Sequence, residues 1–465
     1  MKINSPLQAY EYLPKTNCGE CEEPTCMAFA SHLIDRAKKP KDCPPLLDAE
    51  HREDYATLIE LLAPEIREVV IGTGEHAVTI GGDDVLYRHK LTFFNKTAFA
   101  YDVWDTMGEK ELADRVDNIQ NFKKFYIGDF LTLDAVAVRS VSGDGDQFAK
   151  TVRTVMEKTK LPLLLCSLDA AVLDAGLSVA ANRRPLIYAA TTDNWREVAE
   201  LALKYHVPVV LSAPNDLDAL KSLAVTFESM GIADLVLDPG TAPTGTGLRD
   251  SFENFLKLRR AGIAGQTDVA YPLMAIPMTA WKEMDGVSAA YWESVLASIF
   301  TIRYADVMIL HSIEPYSLLP ELHVRDTVYT DPRKPVMVDA GVFEIGSPGR
   351  KSPFFVTTNF ALTYYTVESD LASNNIDCYL GVVDTDGIGV EAAVAGGQLD
   401  AGKIKDMFNS AGFDVREKTD HGTIILPGLA ARLQGDVEDV TGLTVMVGPP
   451  DSGQIPRWME TKWST

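Results

Sequence analysis

Four runs decide the fold: Pro162-Leu163-Leu164-Leu165-Cys166, Leu186-Ile187-Tyr188-Ala189-Ala190, Pro208-Val209-Val210-Leu211-Ser212 and Leu235-Val236-Leu237-Asp238. Each is short, apolar and bounded by polar or turn residues. Amphipathic helical patterns such as Asp193–Tyr205 and Asp216–Met230 separate them. Strands buried on both faces read this way, and a crossover helix between them makes them parallel. Working outward, Ala98–Trp104 and Leu133–Val138 come before, and Pro272–Pro277 and Val307–Leu310 come after. Gln147–Lys160, Leu248–Ala261 and Ala289–Arg303 supply further helices. Eight strands in alternation predict a (β/α)8 barrel, with a doubly wound sheet as the alternative. Barrel sites lie at the C-terminal strand ends, where Asp102, Arg139, Asp169, Thr191, Asn215, Asp238 and His311 fall. Spacing alone assembles no compact acid–base set from them, so loop capping is the expected role. Thr244-Gly245-Thr246-Gly247 reads as a helix N-cap as readily as a phosphate cradle. Cys166 and Cys378 read as buried apolar residues.

Ahead of the barrel, Val69-Val70-Ile71-Gly72 and Ala77-Val78-Thr79-Ile80 predict a β-hairpin. The first 60 residues form a small module with helices expected at Leu7–Leu13, Thr25–Lys38 and Asp48–Leu62. Cys18, Cys21, Cys26 and Cys43 are spaced C-x2-C-x4-C-x16-C, and Pro44 follows the last. Structural zinc sites usually pair their ligands in two C-x2-C knuckles. Three crowded cysteines and a distant Cys-Pro favour a 4Fe-4S cluster, with zinc or disulfides left open. So small a module draws stability from its metal.

Residues 312–350 are rich in Pro and Gly, including Asp331-Pro332-Arg333-Lys334-Pro335, and read as a domain connection. Beyond it, strands are expected at 354–358, Cys378–Val383, 423–426 and 444–447. They end in Thr357-Thr358-Asn359, Asp384-Thr385-Asp386-Gly387, Pro427-Gly428 and Gly448-Pro449-Pro450. Four such turns on one edge of an open α/β sheet point to a ligand, since ligands bind outside the carboxyl ends of such strands. No Walker loop or G-x-G-x-x-G is present. Asp384 opens no calcium loop, because the twelfth position is Ala395. The D-x-H-x-x-G pattern by which many corrinoid modules offer a histidine is also missing.

Of 465 residues, 66 are acidic and 43 are Lys or Arg, for a net charge of -23. That argues against nucleic acid and anionic membranes as partners. Hydrophobic content of 46% supports full cores. Met1-Lys2-Ile3-Asn4 opens no apolar leader and no long apolar run follows, so a soluble cytoplasmic protein with reduced thiols is expected.

Three motifs carry a resemblance. They are Leu13-Pro14-Lys15-Thr16-Asn17-Cys18-Gly19-Glu20-Cys21 with Pro24-Thr25-Cys26; Val356-Thr357-Thr358-Asn359-Phe360 with Leu362-Thr363-Tyr364-Tyr365; and Val383-Asp384-Thr385-Asp386-Gly387. The chain resembles the large (gamma) subunit family of the corrinoid iron–sulfur protein of the acetyl-CoA decarbonylase/synthase complex. The resemblance implies a cluster domain over 1–60, a TIM-type barrel over 61–325 and a Rossmann-like corrinoid-binding domain over 326–465. It assigns the 4Fe-4S cluster to Cys18, Cys21, Cys26 and Cys43, and a base-off cobamide to the C-terminal rim. Thr385 matches the threonine beneath the corrin. Thr357, Val383, Asp384, Gly387 and Gly448 match lining segments, with Gly381, Val382 and Pro449 as further contacts. The implied activity is that of a methyltransferase component. Co(I) cobamide takes a methyl group from a methyl-tetrahydropterin, of the tetrahydrosarcinapterin or tetrahydrofolate type, and passes it reversibly to the nickel–iron–sulfur centre of acetyl-CoA synthase. The cluster returns Co(II) to Co(I). Implied partners are a small (delta) subunit in a heterodimer, the acetyl-CoA synthase subunit, and the methyl donor or its methyltransferase. The alternative is an electron-transfer or scaffold subunit with no corrinoid.

Overall fold

A computed structural model describes residues 3, 5–332 and 335–463. Met1, Lys2 and Asn4 of the expected leaderless start, and Arg333 and Lys334 of the expected connection, lie outside the described residues. The chain forms two compact units. One comprises Met1–Lys123 with Leu131–Thr330, the other Lys124–Phe130 with Asp331–Thr465.

In the first unit, helices Pro6–Tyr10, Cys26–Ile34 and Arg52–Leu62 gather a small core of Ala9, Leu13, Phe29, Ala30, Leu33, Leu46 and Leu58. Cys21, Cys26 and Cys43 belong to that same core. Strands β1 (Glu68–Ile71) and β2 (Val78–Gly81) then pair antiparallel as the expected hairpin.

The barrel follows. Its eight strands are interrupted by one small hairpin. They are β3 (Ala98–Trp104), then, past the hairpin β4 (Lys123–Tyr126) and β5 (Asp129–Thr132), β6 (Ala135–Arg139), β7 (Leu163–Cys166), β8 (Leu186–Ala190), β9 (Val209–Ser212), β10 (Leu235–Asp238), β11 (Met274–Ala275) and β12 (Val307–Leu310). Neighbours pair in parallel from β3 through β10, and β12 joins β11 to β3. The ring closes where Leu237 bridges Leu273 and the Leu237 N–H donates to the Pro272 carbonyl at 2.8 Å. This is the (β/α)8 barrel expected of the alternation, and all eight expected strands take part.

Period two divides each strand between two cores. Phe99, Tyr101, Val136 and Val138 face outward under the helices, whereas Ala98, Ala100, Ala135, Ala137, Leu164, Val210, Val236 and Val307 face inward. Val69, Ile71 and Ile80 of the first hairpin share the inner core. They plug the N-terminal end, where Gly72 donates to the Arg184 carbonyl and Arg67 to that of Ala270. A buried Val or Leu is worth about 1.5–3 kcal/mol, so this plug fastens the hairpin firmly.

The expected connection at 312–350 is partly regular structure. Pro315 starts helix Pro315–Val328 at a position that needs no N–H donor, and β13 (Gly341–Ile345) is a strand. The proline and glycine density masked both. Hairpin β4–β5 was also not foreseen. Ile127 and Gly128, with φ of 45° and 85°, close it in the left-handed pair that tight hairpins use.

The second unit holds a five-stranded sheet of β13 with β14 (Phe354–Thr358), β15 (Cys378–Val383), β16 (Thr423–Leu426) and β17 (Thr444–Val447). The order is β13-β15-β14-β16-β17, with β13 antiparallel at the edge and the others parallel. Both faces are covered. Ile404, Met407 and Phe408 of helix Ala401–Ala411 lie in one core, and Leu371 of helix Ala361–Ser373 with Ile455 lies in the other.

Candidate metal and ligand sites

The cysteine segment is held by local backbone chemistry. Lys15, Asn17, Gly19 and Glu22 all take positive φ, which wraps the loop tightly. Asn17 fastens it to the next helix: its Oδ1 accepts from the Cys26 N–H at 2.8 Å, and its own N–H approaches Cys26 Sγ at 3.4 Å. Thr25 caps helix Cys26–Ile34 by accepting from Ala28 N–H, so Cys26 sits at the helix N-terminus, an end that favours a thiolate. Cys21, Cys26 and Cys43 are buried and Cys18 is exposed; all are free thiols. Burial pushes the Cys43 thiol up, and the charges of Cys21, Cys26 and Cys18 add to it. Among the described residues no three Cys, His, Asp or Glu side chains gather closely enough to hold a single metal ion.

In the second unit, the parallel strands taken in chain order run second, first, third, fourth. The order therefore reverses between β14 and β16, and that reversal is where open α/β sheets bind ligands. The two strands pair through Phe355 and Ile425. At their C-terminal ends a cavity of about 480 Å³ opens, lined among others by Thr357, Leu426, Gly448 and Pro449. Thr363, Thr366 and Ser452 give it hydroxyls, and Val356, Leu362 and Leu429 give it apolar walls. The Thr358 Oγ1 is buried with no hydrogen-bond partner among the described residues.

Of the nine expected rim residues, Thr357, Gly448 and Pro449 line this cavity. Gly381, Val382 and Val383 lie within β15 and are buried in the sheet. A Cβ on Gly381 would meet the Phe354 ring at 2.7 Å, so that glycine serves ring packing. Asp384, Thr385 and Gly387 form a turn stitched by Asn359. Its Oδ1 accepts from Thr385 N–H and Gly387 N–H, each at 3.0 Å, and from Thr385 Oγ1 at 3.1 Å, while its Nδ2 donates to Asp384 at 3.0 Å. Thr385 is fully buried, and its hydroxyl also contacts the Ile388 carbonyl at 2.8 Å. Gly387, at φ +70°, lies under Pro335, which a Cβ would meet at 2.7 Å. Asn359 was read only as part of a turn. Its place at the end of β14, next to an Asp-Thr-Asp-Gly turn, was the available signal.

The barrel mouth holds a cluster that spacing did not reveal. Asp102 Oδ1 lies 2.9 Å from Arg115 and 2.8 Å from His311 Nδ1, and Oδ2 lies 3.0 Å from Arg139 Nε. Burial would raise the Asp102 carboxyl; His311, then Arg115 and Arg139, outweigh it and hold it low. Trp281 and Trp104 pack against the His311 ring. Glu293 accepts from the His311 and Ser312 N–H groups at 2.7 and 2.8 Å, and burial pushes its carboxyl up to about 7. The other strand-end residues behave locally. Asp169 caps a helix, Thr191 binds Asn194, and Asp238 accepts from Tyr188, Ser212 and Gly240. Thr244 precedes its helix without capping it and donates to Glu283 instead.

These features define a cysteine-rich segment, an α/β barrel and an open sheet with a switch-point cavity. Residues 13–45 match a family described as a putative Fe-S cluster, and residues 68–459 match that described as CO dehydrogenase/acetyl-CoA synthase delta subunit. The chain belongs to the latter family, and an iron–sulfur cofactor is supported at its N-terminus. It is 63% identical over 466 residues to the acetyl-CoA decarbonylase/synthase complex subunit gamma of Methanosarcina acetivorans, covering 100% of this chain and 99% of that one. The subunit gamma of Archaeoglobus fulgidus is 53% identical over 470 residues (100% and 99%). That of Methanothermobacter thermautotrophicus is 41% identical over 456 (98% and 98%). Among the described residues no helix is long and apolar enough to cross a membrane.

Proposed function

We propose that the chain is a corrinoid iron–sulfur methyl carrier, the gamma subunit of an acetyl-CoA decarbonylase/synthase complex. The observation that carries this reading is the cavity at the β14–β16 reversal. It is wide and apolar-walled, and it is bordered by the hydroxyls of Thr357, Thr363, Thr366 and Ser452. A bound corrinoid would supply a cobalt that accepts and donates a methyl group. Thr357, Gly448 and Pro449, which line the cavity, would hold the ring, and Asn359 fixes the Asp384–Gly387 turn. The one histidine beyond residue 331, His421, leads into β16 at the opposite end of the sheet, where it contacts the Ser352 carbonyl. The chain's own sheet unit therefore offers no imidazole to the metal, in keeping with a base-off cofactor.

Cys18, Cys21, Cys26 and Cys43 would bind a 4Fe-4S cluster. Their spacing, C-x2-C-x4-C-x16-C with Pro44 after the last, suits a cubane, whose separate irons take one thiolate each, and the family match over residues 13–45 supports an iron–sulfur cofactor. The proposed domains are 1–60 for the cluster, 61–325 for the barrel and 326–465 for a Rossmann-like corrinoid domain. Because the cavity encloses only part of a ring, a second subunit is proposed to cover its other face. The acetyl-CoA synthase subunit would then receive the methyl group that a methyl-tetrahydropterin donates.

The test is iron, cobalt and zinc analysis of the purified full chain, with its visible spectrum. Stoichiometric cobalt with a base-off spectrum and iron with sulfide are expected, and Cys26→Ala should lose the iron and keep the cobalt. Iron without cobalt would leave an electron-transfer subunit. Zinc without iron would overturn the cluster, and zinc with neither iron nor cobalt would overturn both cofactors.

A further inference from the structure

The densest basic run of the chain, Arg36-Ala37-Lys38-Lys39-Pro40-Lys41, ends two residues before Cys43. It borders a cavity of about 540 Å³ whose other walls include Tyr55, Ile59, Leu62 and Phe94. Its four cations divide into two kinds. Arg36 and Lys38 are engaged: Arg36 donates to the Gly82 carbonyl at 2.6 Å and to Asp84 while lying over the Phe94 ring, and Lys38 reaches Glu22 at 2.9 Å. Lys39 and Lys41 are exposed and have no ion-pair partner among the described residues. The Lys39 amide donates to Asp42 at 2.7 Å, which fixes the turn that presents them. Two free ammonium groups are thus held on a built scaffold, beside an apolar cavity, next to a cluster ligand.

We propose that this surface docks an acidic one-electron carrier protein that reduces the iron–sulfur cluster. The proposal rests on the cluster reading above. At physiological salt, charges more than about 8 Å apart are largely screened. An approaching acidic protein therefore responds to the local lysines and not to the net charge of -23. The exposed Lys39 and Lys41 give it a local attraction beside Cys43. The cavity would take an apolar side chain of the carrier beside its carboxylates, the arrangement of an interface with an apolar centre and a charged rim. The step is a single electron transfer. The carrier is oxidised by one electron and the cluster is reduced by one; no bond is made or broken.

The test uses the full chain with its cluster, a reduced acidic bacterial-type ferredoxin as the probe, and reduced 5-deazariboflavin as a small uncharged reductant. For Lys39→Glu/Lys41→Glu, the second-order rate of cluster bleaching by ferredoxin should fall about tenfold or more and lose its decline with added salt. The rate with deazaflavin should be unchanged, and Lys39→Arg/Lys41→Arg should reduce as the unmodified chain does. An unchanged ferredoxin rate and salt dependence in the Glu variant, with deazaflavin bleaching intact, would overturn the docking surface alone. No bleachable iron–sulfur absorbance in the unmodified chain would overturn the cluster reading and this proposal with it.

Discussion

The barrel and the C-terminal sheet are both parallel, yet they finish their strands in opposite ways. In the barrel the ring closes, and the inward positions above Ala100, Ala137 and Ile309 are Asp102, Arg139 and His311, where Asp102 pairs with both Arg139 and His311. In the open sheet the strand order reverses, β14 and β16 part beyond Phe355 and Ile425, and Thr357 faces a cavity. Closure lets a sheet consume its own polar ends, whereas a reversal leaves a crevice that only a ligand or partner can fill. The strand ends with the most conspicuous charges pair with one another, whereas plain threonines and glycines border the cavity proposed to take the ligand.

The sharpest break of this comparison is Asp102→Ala. It leaves His311, Arg115 and Arg139 facing one another without their carboxylate, which should cost the barrel about 3–5 kcal/mol. Denaturant unfolding measures it. Cobalt content of the folded fraction should not change; a loss of cobalt with stability intact would make the barrel mouth a working site.

Glu293 adds a pH arm. Burial pushes its folded carboxyl up to about 7, against about 4.3 in the unfolded chain. Below both values the two states bind the proton equally. As pH rises between them the unfolded state ionises first, so stability conferred by the protonated group is lost, and above 7 the loss is complete. Glu293→Gln should remove roughly 2–3 kcal/mol of that decline between pH 4.5 and 7.5. Parallel stability curves for variant and unmodified protein would show that the group titrates normally.

On the open sheet, Thr357→Phe places a ring at the cavity wall. Cofactor affinity should fall about tenfold, near 1.4 kcal/mol, with the melting temperature held. Undiminished binding would move the corrinoid away from the β14–β16 crevice.

The barrel was legible because eight apolar runs alternate with helices, and that pattern is local. The mouth cluster was not, because Asp102 and His311 are 209 positions apart and only ring closure brings them together. Reading each strand at period two would have placed them on the inner face, since Ala98, Ala100 and Asp102 share it with Val307, Ile309 and His311. In the C-terminal sheet the strands were legible and their spatial order was not. That order is what puts Thr357, Gly448 and Pro449 around one cavity while Gly381 stays inside β15. Helix Pro315–Val328 was obscured by a proline at the position where proline is harmless.

Thr385→Ala should have the smallest effect and tests the finest point. The Thr385 hydroxyl is directed to Asn359 Oδ1 and the Ile388 carbonyl, and the residue is fully buried. Removing it takes away the one proton those two acceptors share, but Asn359 Oδ1 keeps the Thr385 and Gly387 N–H groups, so the turn survives. The Ile388 carbonyl loses a donor, and the cost should be about 1 kcal/mol. The hydroxyl is committed within the protein, so deleting it removes no bond to a metal. Cofactor binding and the electron paramagnetic resonance of the Co(II) state should match the unmodified protein, without nitrogen splitting in either. Nitrogen splitting in the unmodified protein would mean that an imidazole reaches the metal, and the contrast between a self-satisfied turn and an open crevice would have to be redrawn.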